Sequence, residues 1–409
     1  MSPAATLPLL ASTEGRQKLL AVYRDGLLQD TLPFWFPRSV DEEYGGFVHC
    51  RDQDGSVLDT DKSVWAQGRM SWMLLTLYNT LENRPQWRQW AESGLAFLER
   101  LCFDVDGRMF FHVSREGQAI RKRRYAYSEA FAAIAFAAHY KAAGDPRSAK
   151  RANELFDFFT RWNFTPGLMP PKFTDARPLI GLGPRMITIV TAQELRLNLG
   201  ADDRLTNWID RCIDEIQRWF VKPEERVVME SVAPNGDVVN HFDGRLLNPG
   251  HAIEGAWFIM MEGKLRSDPR LVQLGCDMLD WMWARGWDDE FGGLFYFRDL
   301  HGKPVQEYWQ DMKFWWPHDE TIIATLLAYE LTGNEKYARW HQQVHDWSHQ
   351  HFADSAHGEW FGYLHRDGKP ATTTKGNLWK SFFHHPRMQW MCLQLLQESV
   401  SPAAKKVAF

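Results

Sequence analysis

The chain has 409 residues, 44% of them hydrophobic, so it can bury a large core as one domain. A formal net charge of −5 argues against a nucleic-acid surface, and five scattered cysteines without a C-x-x-C pair argue against a disulfide framework. No basic segment precedes the apolar patch near the N-terminus, and no apolar run approaches the roughly 18 residues of a membrane span. We therefore expect a reduced, cytoplasmic protein with no nucleic-acid or membrane partner.

A short pattern recurs along the chain, in which an apolar run and a few polar residues are followed by a turn glycine. Five copies end at Gly55, Gly117, Gly236, Gly302 and Gly368. Pairs such as D-G, N-G and E-G after an apolar alternation are hairpin signals. The interval before Gly236 is about twice the others, which predicts a degenerate copy near residue 180, so six units of roughly 60 residues fill the chain.

Between the turns lie apolar-periodic segments of ordinary helix length, two in each unit. In chain order, the predicted helices span 14–32, 61–81, 86–102, 126–142, 147–162, 185–198, 203–220, 249–263, 268–285, 313–331, 335–351 and 382–398. Six helical hairpins predict an all-α closed toroid, an (α/α)6 barrel with short β-hairpins in the loops at one mouth. An open solenoid is the structural alternative. Because no linker divides the chain, we expect one domain over 1–409, with 1–12 and 400–409 as flexible tails.

The helix that follows each turn is expected to lie inside the ring, with its N-terminus at a common mouth. The first two inner helices carry Trp65 and Arg69 in KSVWAQGRMSW and Glu129 in RYAYSEAF. The fourth reads NPGHAIEGAW, which places His251 and Glu254 three residues apart on one face. The mouth is thus expected to combine charged groups with aromatic walls of the kind that bind sugars.

The fifth and sixth inner helices also begin with histidine and proline. MKFWWPHDET offers His318 and Glu320, and FFHHPR offers His384, His385 and Arg387. The helix dipole disfavours an imidazolium at this end, so we expect these rings to be neutral near pH 7. A single histidine at a helix start is more often structural, but three at equivalent positions of a repeat favour a shared chemical role.

Two neutral bases in an aromatic pocket suit the removal of a proton next to a carbonyl and its return to the opposite face. His251 and His384 belong to alternate hairpins of the ring and can approach a substrate from different sides, while Arg69 and Arg387 can stabilise an enediolate oxygen. No metal site is expected, because these histidines lack H-x-x-x-H spacing and no thiolate accompanies them. A second enzyme class is a glycoside hydrolase that uses two carboxylates, Glu254 and Glu320. The placement of the histidines makes this class the weaker explanation.

The stretches VWAQGRMSW, LNPGHAIEGAWF, GWDDEFGGLFYF, MKFWWPHDE, HGEWFGYLHRDG and FFHHPR resemble the N-acylglucosamine 2-epimerase family over roughly 14–398. The resemblance implies an (α/α)6 barrel and reversible interconversion of N-acetylglucosamine and N-acetylmannosamine through an enediolate of the ring-opened sugar. It also implies a homodimer and activation by ATP that is not consumed. The residues matched to essential family positions are Arg69, His251, Glu320 and His384, with the two histidines as the acid/base pair.

Further residues are expected to contact the substrate. Glu254, Arg387 and Lys172 in MPPKF match pocket positions of the family, and Trp65 and His318 are assigned to substrate binding with them. His385 is expected to support the loop rather than to react.

The ATP implied by the resemblance has no standard phosphate loop, because neither G-x-x-x-x-G-K-[ST] nor G-x-G-x-x-G occurs. The basic run RKRRY is the candidate, with phosphate ligands Arg121, Lys122, Arg123 and Arg124. Arginine and lysine both bind phosphate, but a short basic run is more often a solvated loop.

Two other functions remain open from the residues. Another sugar 2-epimerase or an aldose–ketose isomerase on the same scaffold, acting on mannose or cellobiose, would share the two histidines. A protein-binding module is the non-enzymatic alternative, because mammalian relatives bind a protease. That role was linked with a leucine heptad, and no sustained leucine pattern occurs here.

Overall fold

The structure, a computed structural model, describes residues 8–122 and 125–400. Within these ranges the helices are α1 Thr13–Asp25, α2 Leu32–Trp35, α3 Val64–Thr80, α4 Pro85–Leu101, α5 Tyr127–Ala143, α6 Pro146–Phe164, α7 Gly183–Leu199, α8 Asp203–Glu215, α9 Phe242–Arg245, α10 Pro249–Arg266, α11 Pro269–Gly286, α12 Trp315–Thr332, α13 Glu335–His351 and α14 His384–Val400. A π-helical stretch, Gly26–Thr31, joins α1 to the short α2, and another, Ile216–Phe220, extends α8. The predicted all-α class and the twelve long helices are confirmed, with ends that differ by a few residues.

The long helices close into a ring. The helices α3, α5, α7, α10, α12 and α14 contact one another in chain order, and α14 also contacts α3. The helices α4, α6, α8, α11 and α13 each pack against the inner helix that precedes them, and α1 packs against α14. The closed (α/α)6 barrel is therefore confirmed and the open solenoid is excluded.

Short antiparallel strands tie neighbouring units together at the mouth. In the described part of the chain they are β1 Cys50–Arg51, β2 Val57–Asp59, β3 Lys62–Ser63, β4 His112–Val113, β5 Ala119–Arg121, β6 Ile180–Gly181, β7 Val221–Lys222, β8 Val227–Val228, β9 Ser231–Val232, β10 Leu246–Leu247, β11 Arg298–Asp299, β12 Lys313–Phe314 and β13 Tyr363–Leu364. The pairs β3–β4, β6–β9, β10–β11 and β12–β13 each join the segment before an inner helix to the next hairpin. Gly376, before α14, forms a β-bridge with Arg51 of the first hairpin. The segment before the last inner helix is thus paired with the next hairpin around the ring, as in the other units.

The glycines that end the repeated pattern have the backbone conformation that the turn signals predict. Their φ angles lie between +71° and +94°, a region that residues with a Cβ rarely adopt. Each hairpin is therefore ended by a glycine that another residue would strain, which explains why the pattern was readable in the sequence.

Buried polar side chains fasten inner helices to the preceding hairpins. The amide of Gln67, the fourth residue of α3, accepts from the backbone N–H of Phe47 at 2.7 Å and donates to its carbonyl at 2.9 Å. Glu129, the third residue of α5, accepts from the backbone N–H of Met109 at 2.7 Å. Phe47 and Met109 occupy equivalent places in the repeated hairpin pattern. An inner helix thus directs some polar side chains at its start backwards, away from the axis of the ring.

The end of the expected N-terminal tail is packed. Leu10, in a short 3-10 turn, is only 1% exposed, and the backbone N–H of Leu9 donates to Gln342 of α13 at 3.1 Å. Leu10, inside the expected tail 1–12, is therefore packed, while 1–7 and 401–409 lie outside the described residues. All five cysteines are buried and unpaired. Among the described helices, none has both the length and the apolar character to cross a membrane.

Candidate active site

A cavity of about 980 Å³ lies inside the ring, with walls from all six inner helices and from loops at the mouth. Its volume is at the upper end of the range for small-molecule sites. The predicted residues that line it are Trp65, Arg69, Lys172, His251, Glu254, His384 and Arg387. The structure thus brings together side chains from α3, α10 and α14 with Lys172, which lies on the loop before α7.

His384 begins α14 and is 8% exposed. Its Nδ1 lies 2.7 Å from Oε1 of Glu320. Because a carboxylate accepts hydrogen bonds, Nδ1 carries the proton and Nε2 is left with its lone pair. Burial and the positive charges of Arg387 and Arg69 hold the pKa of His384 well below its usual range. The ring is therefore a neutral base at neutral pH, as the sequence predicted.

Glu320 orients His384 from behind. It is fully buried and absent from the cavity wall, and it also accepts from Nε1 of Trp257 at 2.8 Å. Nη2 of Arg387 donates to Glu320 at 2.5 Å and to Glu254 at 2.7 Å, so one guanidinium links two carboxylates. Glu320, which was predicted to be catalytic, thus touches the imidazole of His384 and does not line the cavity.

The two carboxylates do not form a glycosidase pair. Such enzymes need two carboxyl groups that face the scissile bond from opposite sides. Glu320 does not line the cavity, and Arg387 forms ion pairs with both Glu320 and Glu254. Ligand atoms of the two carboxylates and His384 lie within 4.8 Å of one another, a spacing that a metal ion can use, but here the guanidinium already supplies the positive charge.

His251 lies in the first turn of α10 with a different partner. Oδ1 of Asn248 caps the helix by accepting from the backbone N–H of His251 at 3.2 Å. Nδ1 of His251 lies 3.1 Å from both carboxylate oxygens of Glu230. Burial acts to lower the pKa of this imidazole, but the charge and hydrogen bond of Glu230 outweigh it, and the pKa is raised. The expectation that both rings are neutral is therefore wrong for His251, because Glu230 favours its protonated form.

Arg69 is a cation of the cavity wall that is held by aromatic rings. Its guanidinium lies 4.1 Å from the ring centre of Phe131, 4.6 Å from that of Phe383 and 5.2 Å from that of Trp65. Within the described residues it makes no hydrogen bond or ion pair, and its Nε is buried. Burial lowers its pKa to about 9, so it is still charged at neutral pH. A positively charged group held by aromatic rings and facing a cavity can bind a negatively charged oxygen.

His318, which was predicted to bind substrate, does not line the cavity. This residue is fully buried and absent from the cavity wall. Its Nε2 accepts from the backbone N–H of Leu294 at 2.9 Å, its Nδ1 donates to the carbonyl of Phe314 at 2.7 Å, and its ring stacks on Trp347. Burial lowers its pKa to about 3. His318 fastens α12 to the preceding hairpin in the way that Gln67 fastens α3.

The two predicted nucleotide ligands that the structure describes, Arg121 and Lys122, lie apart from the cavity. Lys122 pairs with Asp104 at 2.5 Å and Asp106 at 2.9 Å, and Arg121 is exposed, with its guanidinium over the ring of Phe111. Neither residue lines the cavity. The other two predicted ligands, Arg123 and Arg124, lie outside the described residues.

Sequence reasoning missed part of the site. Glu230 lies in the RVVMESV hairpin, directly before β9, and its signal was the repeat itself, which puts every such hairpin at the mouth. Aromatic and amide side chains from other mouth loops also line the cavity, namely Tyr125, Tyr296, Trp309, Asn377 and Trp379. These residues are dispersed in the chain, and only the closed ring brings them together.

Residues 45–387 match the family model of N-acylglucosamine 2-epimerase (GlcNAc 2-epimerase). The chain belongs to this family. It is 34% identical over 407 residues to N-acylglucosamine 2-epimerase of Bos taurus, which covers 96% of this chain and 95% of the relative. It is 22% identical to cellobiose 2-epimerase of Bacteroides fragilis, over 90% of this chain and 96% of that protein. Membership in the N-acylglucosamine 2-epimerase family makes the chain an isomerase.

The solved structures agree with this fold. Cellobiose 2-epimerase from Bacillus thermoamylovorans B4167 superposes with a TM-score of 0.80 at 21% identity, covering 93% of this chain and all of that one. At this identity the likeness establishes the (α/α)6 fold, while the chemistry has to be argued from the cavity.

Proposed function

We propose that the chain interconverts N-acetylglucosamine and N-acetylmannosamine by moving a proton at C2 of the ring-opened sugar. The observation that carries this proposal is that two histidines line one cavity with pKa values shifted in opposite directions. Epimerisation by two bases needs one group that accepts a proton and one that donates a proton to the other face of the same carbon. His384 is set up as the acceptor and His251 as the donor.

The proton transfer follows from this arrangement. In the aldehyde form of the sugar, Nε2 of His384 removes the proton from C2, and the electron pair of the C–H bond moves towards the carbonyl oxygen at C1. Arg69 stabilises the negative charge that develops on this oxygen, because its own charge has no carboxylate partner among the described residues. His251 then gives its proton to the opposite face of C2, and the carbonyl re-forms. The pair holds one proton before and after the reaction, so the reverse reaction uses the same groups.

Glu230, Glu320 and Arg387 serve the two bases. Glu320 fixes the tautomer of His384, and Arg387 neutralises Glu320, so that His384 remains a base of low pKa. Glu230 holds His251 in the protonated state before the transfer. Each histidine therefore has its own carboxylate, and the surroundings of the two carboxylates set the direction of each shift.

An acetamido sugar is supported as substrate by the sequence comparison. Identity is 34% to the N-acylglucosamine 2-epimerase of Bos taurus and 22% to the cellobiose 2-epimerase of Bacteroides fragilis, with at least 90% of this chain aligned in both cases. The second candidate is a 2-epimerase or isomerase that acts on cellobiose or mannose. The structural likeness to a cellobiose 2-epimerase favours keeping this candidate in the test.

Proton NMR in D2O tests both candidates in one experiment. The purified chain is incubated with N-acetylmannosamine, and with mannose and cellobiose in parallel tubes. We expect N-acetylglucosamine with deuterium at C2 in the first tube. Conversion of only mannose or cellobiose would keep the two-histidine mechanism and replace the substrate, whereas epimerisation without deuterium at C2 would reject the proton transfer through exchangeable groups.

We also propose that the enzyme acts in the cytoplasm as a homodimer that ATP activates without being consumed, as the family resemblance implies. Lys122 already contacts two carboxylates, so of the two described basic residues Arg121 is the better phosphate ligand. Initial rates with and without ATP, for the native chain and for Arg121→Ala, test this proposal. Unchanged ATP activation in the variant would remove Arg121 from the nucleotide site, and light scattering gives the oligomeric state.

A further inference from the structure

The last of the repeated hairpins has a glutamate at a position where the first and the fifth have glycine. In each of the three, the backbone N–H five residues earlier donates to the carbonyl of this residue, which is Gly46, Gly293 or Glu359. The φ angles at these positions are +71°, +70° and +61°. A residue with a Cβ is strained in this region, and such strain persists only where the surrounding structure compensates for it. The contacts of the Glu359 side chain must therefore provide that compensation.

The side chain of Glu359 is buried in an ion pair. Its Oε1 accepts from Nζ of Lys380 at 2.8 Å and from the backbone N–H of Trp360 at 2.9 Å, and its Oε2 accepts from Nε1 of Trp35 at 2.6 Å. The Glu359 and Lys380 side chains are each 1% exposed. Burial acts to raise the pKa of Glu359, but the charge and hydrogen bond of Lys380 are among the contacts that outweigh it, and the pKa is lowered. Glu359 is thus held as a carboxylate inside the protein.

This ion pair is an addition to the repeat. Before three inner helices, a buried lysine pairs with the aspartate that begins the hairpin loop. These pairs are Lys62–Asp41, Lys313–Asp288 and Lys375–Asp354, with distances of 2.8 to 2.9 Å. The last hairpin therefore has the common pair and, with Glu359 and Lys380, a second one. Because Gly46 and Gly293 have no side chain, the first and fifth hairpins have no counterpart of the second pair.

The last inner helix also differs in its anchor to the hairpin. In the first and fifth units, the backbone N–H after the shared position donates to the fourth residue of the inner helix, which is Gln67 or His318. The fourth residue of α14 is Arg387, which has no acceptor atom and lines the cavity. The corresponding N–H, that of Trp360, donates to Glu359 instead. The glutamate thus replaces the usual helical anchor and leaves the fourth residue of α14 available to the cavity.

The ion pair lies next to the proposed base in the chain. Lys380 comes four residues before His384, and the residues between them form neither helix nor strand. The position of this segment therefore depends on side-chain contacts such as that of Lys380 with Glu359. On the other side of His384, the ring centre of His385 lies 4.1 Å from that of Trp360, the neighbour of Glu359. One hairpin thus holds the chain on both sides of His384.

Resting on the proposed function, we infer that Glu359 and Lys380 are positioning residues for the proton transfer at C2. Their ion pair fixes the start of α14, and this sets the place of Nε2 of His384 relative to the substrate carbon. Neither residue lines the cavity, so both act through His384. A displacement of about 1 Å at a reacting group can lower the rate about 100-fold. The additional ion pair of the last unit therefore serves catalysis as well as stability.

The test removes the ion pair without leaving a buried charge. In the double variant Glu359→Gln with Lys380→Met, the glutamine can still accept from the N–H of Trp360, while the link to the segment before α14 is lost. The matched control is Asp354→Asn with Lys375→Met, which removes the common ion pair of the same hairpin. Tm, kcat and KM are measured for the full native chain and for both variants, with N-acetylmannosamine and deuterium incorporation at C2 as the assay.

We expect the two variants to differ in turnover more than in stability. The Glu359→Gln, Lys380→Met variant should lose at least about 10-fold in kcat while KM changes by less than about 3-fold, because the base is displaced and the cavity wall keeps its residues. The control should keep its kcat at a temperature well below its Tm. A purely structural ion pair would lower Tm and leave kcat of the folded enzyme unchanged.

The outcomes separate this inference from the proposed function. An unchanged kcat in the Glu359→Gln, Lys380→Met variant, or an equal loss of kcat in the control, would reject the inference and leave the epimerase function in place. If the native chain converts only mannose or cellobiose, the same comparison is made with that sugar. A native chain that converts none of the three sugars rejects the proposed function and the inference with it. Should the double variant not fold, Glu359→Gln alone, which keeps the size of both side chains, takes its place.

Discussion

Replacing Glu230 by glutamine should remove activity on the alkaline side of the pH profile and leave the acid side in place. The active form of the pair holds one proton. At high pH this form loses its proton from the group with the higher pKa. That group is His251, because Glu230 raises the pKa of His251. At low pH the pair gains a second proton on His384, whose pKa is lowered. Glu230→Gln keeps the shape of the side chain and removes the charge that stabilises the imidazolium.

The size of the effect follows from the contact distance. Two unit charges 3.1 Å apart interact by about 1 kcal/mol in bulk water and by about 5 kcal/mol at an effective dielectric constant of about 20. The two side chains are 36% and 22% exposed, so solvent screens the pair and we take about 2 kcal/mol. This energy corresponds to about a 30-fold smaller protonated population of His251 above its pKa. We therefore expect kcat/KM to fall about 30-fold at alkaline pH and to change little on the acid limb.

The assay is kcat/KM for N-acetylmannosamine between pH 5 and 10, followed by NMR, for the native enzyme, Glu230→Gln and Glu230→Asp. The aspartate variant is the matched control, because it keeps the charge within the same hairpin and should retain much of the alkaline limb. A loss in Glu230→Gln that is the same at every pH, with no displacement of the alkaline limb, would refute the assignment of His251 as the proton donor.

Three further predictions concern single side chains. Arg69→Met should lower kcat by about 100- to 1,000-fold, because the enediolate loses its cation. The Tm should not fall, because Arg69 has no ion pair among the described residues. A nearly normal kcat would exclude Arg69 as the oxyanion ligand. His384→Asn should lower kcat by about 100- to 10,000-fold with an unchanged circular dichroism spectrum, and retained turnover would reject it as a base. His318→Phe should destabilise the fold by about 2 kcal/mol in urea unfolding, because the Leu294 N–H loses its acceptor, while kcat of the folded enzyme stays normal; a selective loss of kcat would contradict its structural assignment.

The fold and half of the site were readable because their signals are local. A turn glycine with positive φ and a helical period of apolar residues each depend on a few neighbouring positions, and five copies of the first with six helical hairpins specify the ring. The contact between Glu230 and His251 could not be predicted from the sequence, because it depends on the pairing of β6 with β9 and on the packing of α10 at the mouth. Its charge then reverses the pKa shift that the helix dipole alone would predict. The sequence therefore indicated two histidines that line the cavity, but not that their pKa values are shifted in opposite directions.

Helix phase explains why one of three similar histidines is structural. His251 is the third residue of α10, whereas His318 is the fourth residue of α12, as Gln67 is of α3. One residue turns a side chain by about 100° around the helix, which is enough to direct it at the hairpin behind instead of at the axis. Position counted from the first helical residue is not sufficient either, because Glu129 is the third residue of α5 and is directed at the hairpin behind.

The sixth residues of three inner helices show how the repeat was adapted for chemistry. They are Arg69 in α3, Glu254 in α10 and Glu320 in α12. The two carboxylates share Arg387, and neither forms an ion pair with Arg69. A carboxylate beside Arg69 would neutralise its charge before any enediolate formed. The proposed chemistry therefore requires that Glu254 and Glu320 pair with another cation. In the proposed mechanism, the ion pairs at Arg387 keep His384 oriented and keep the charge of Arg69 available to the substrate oxygen.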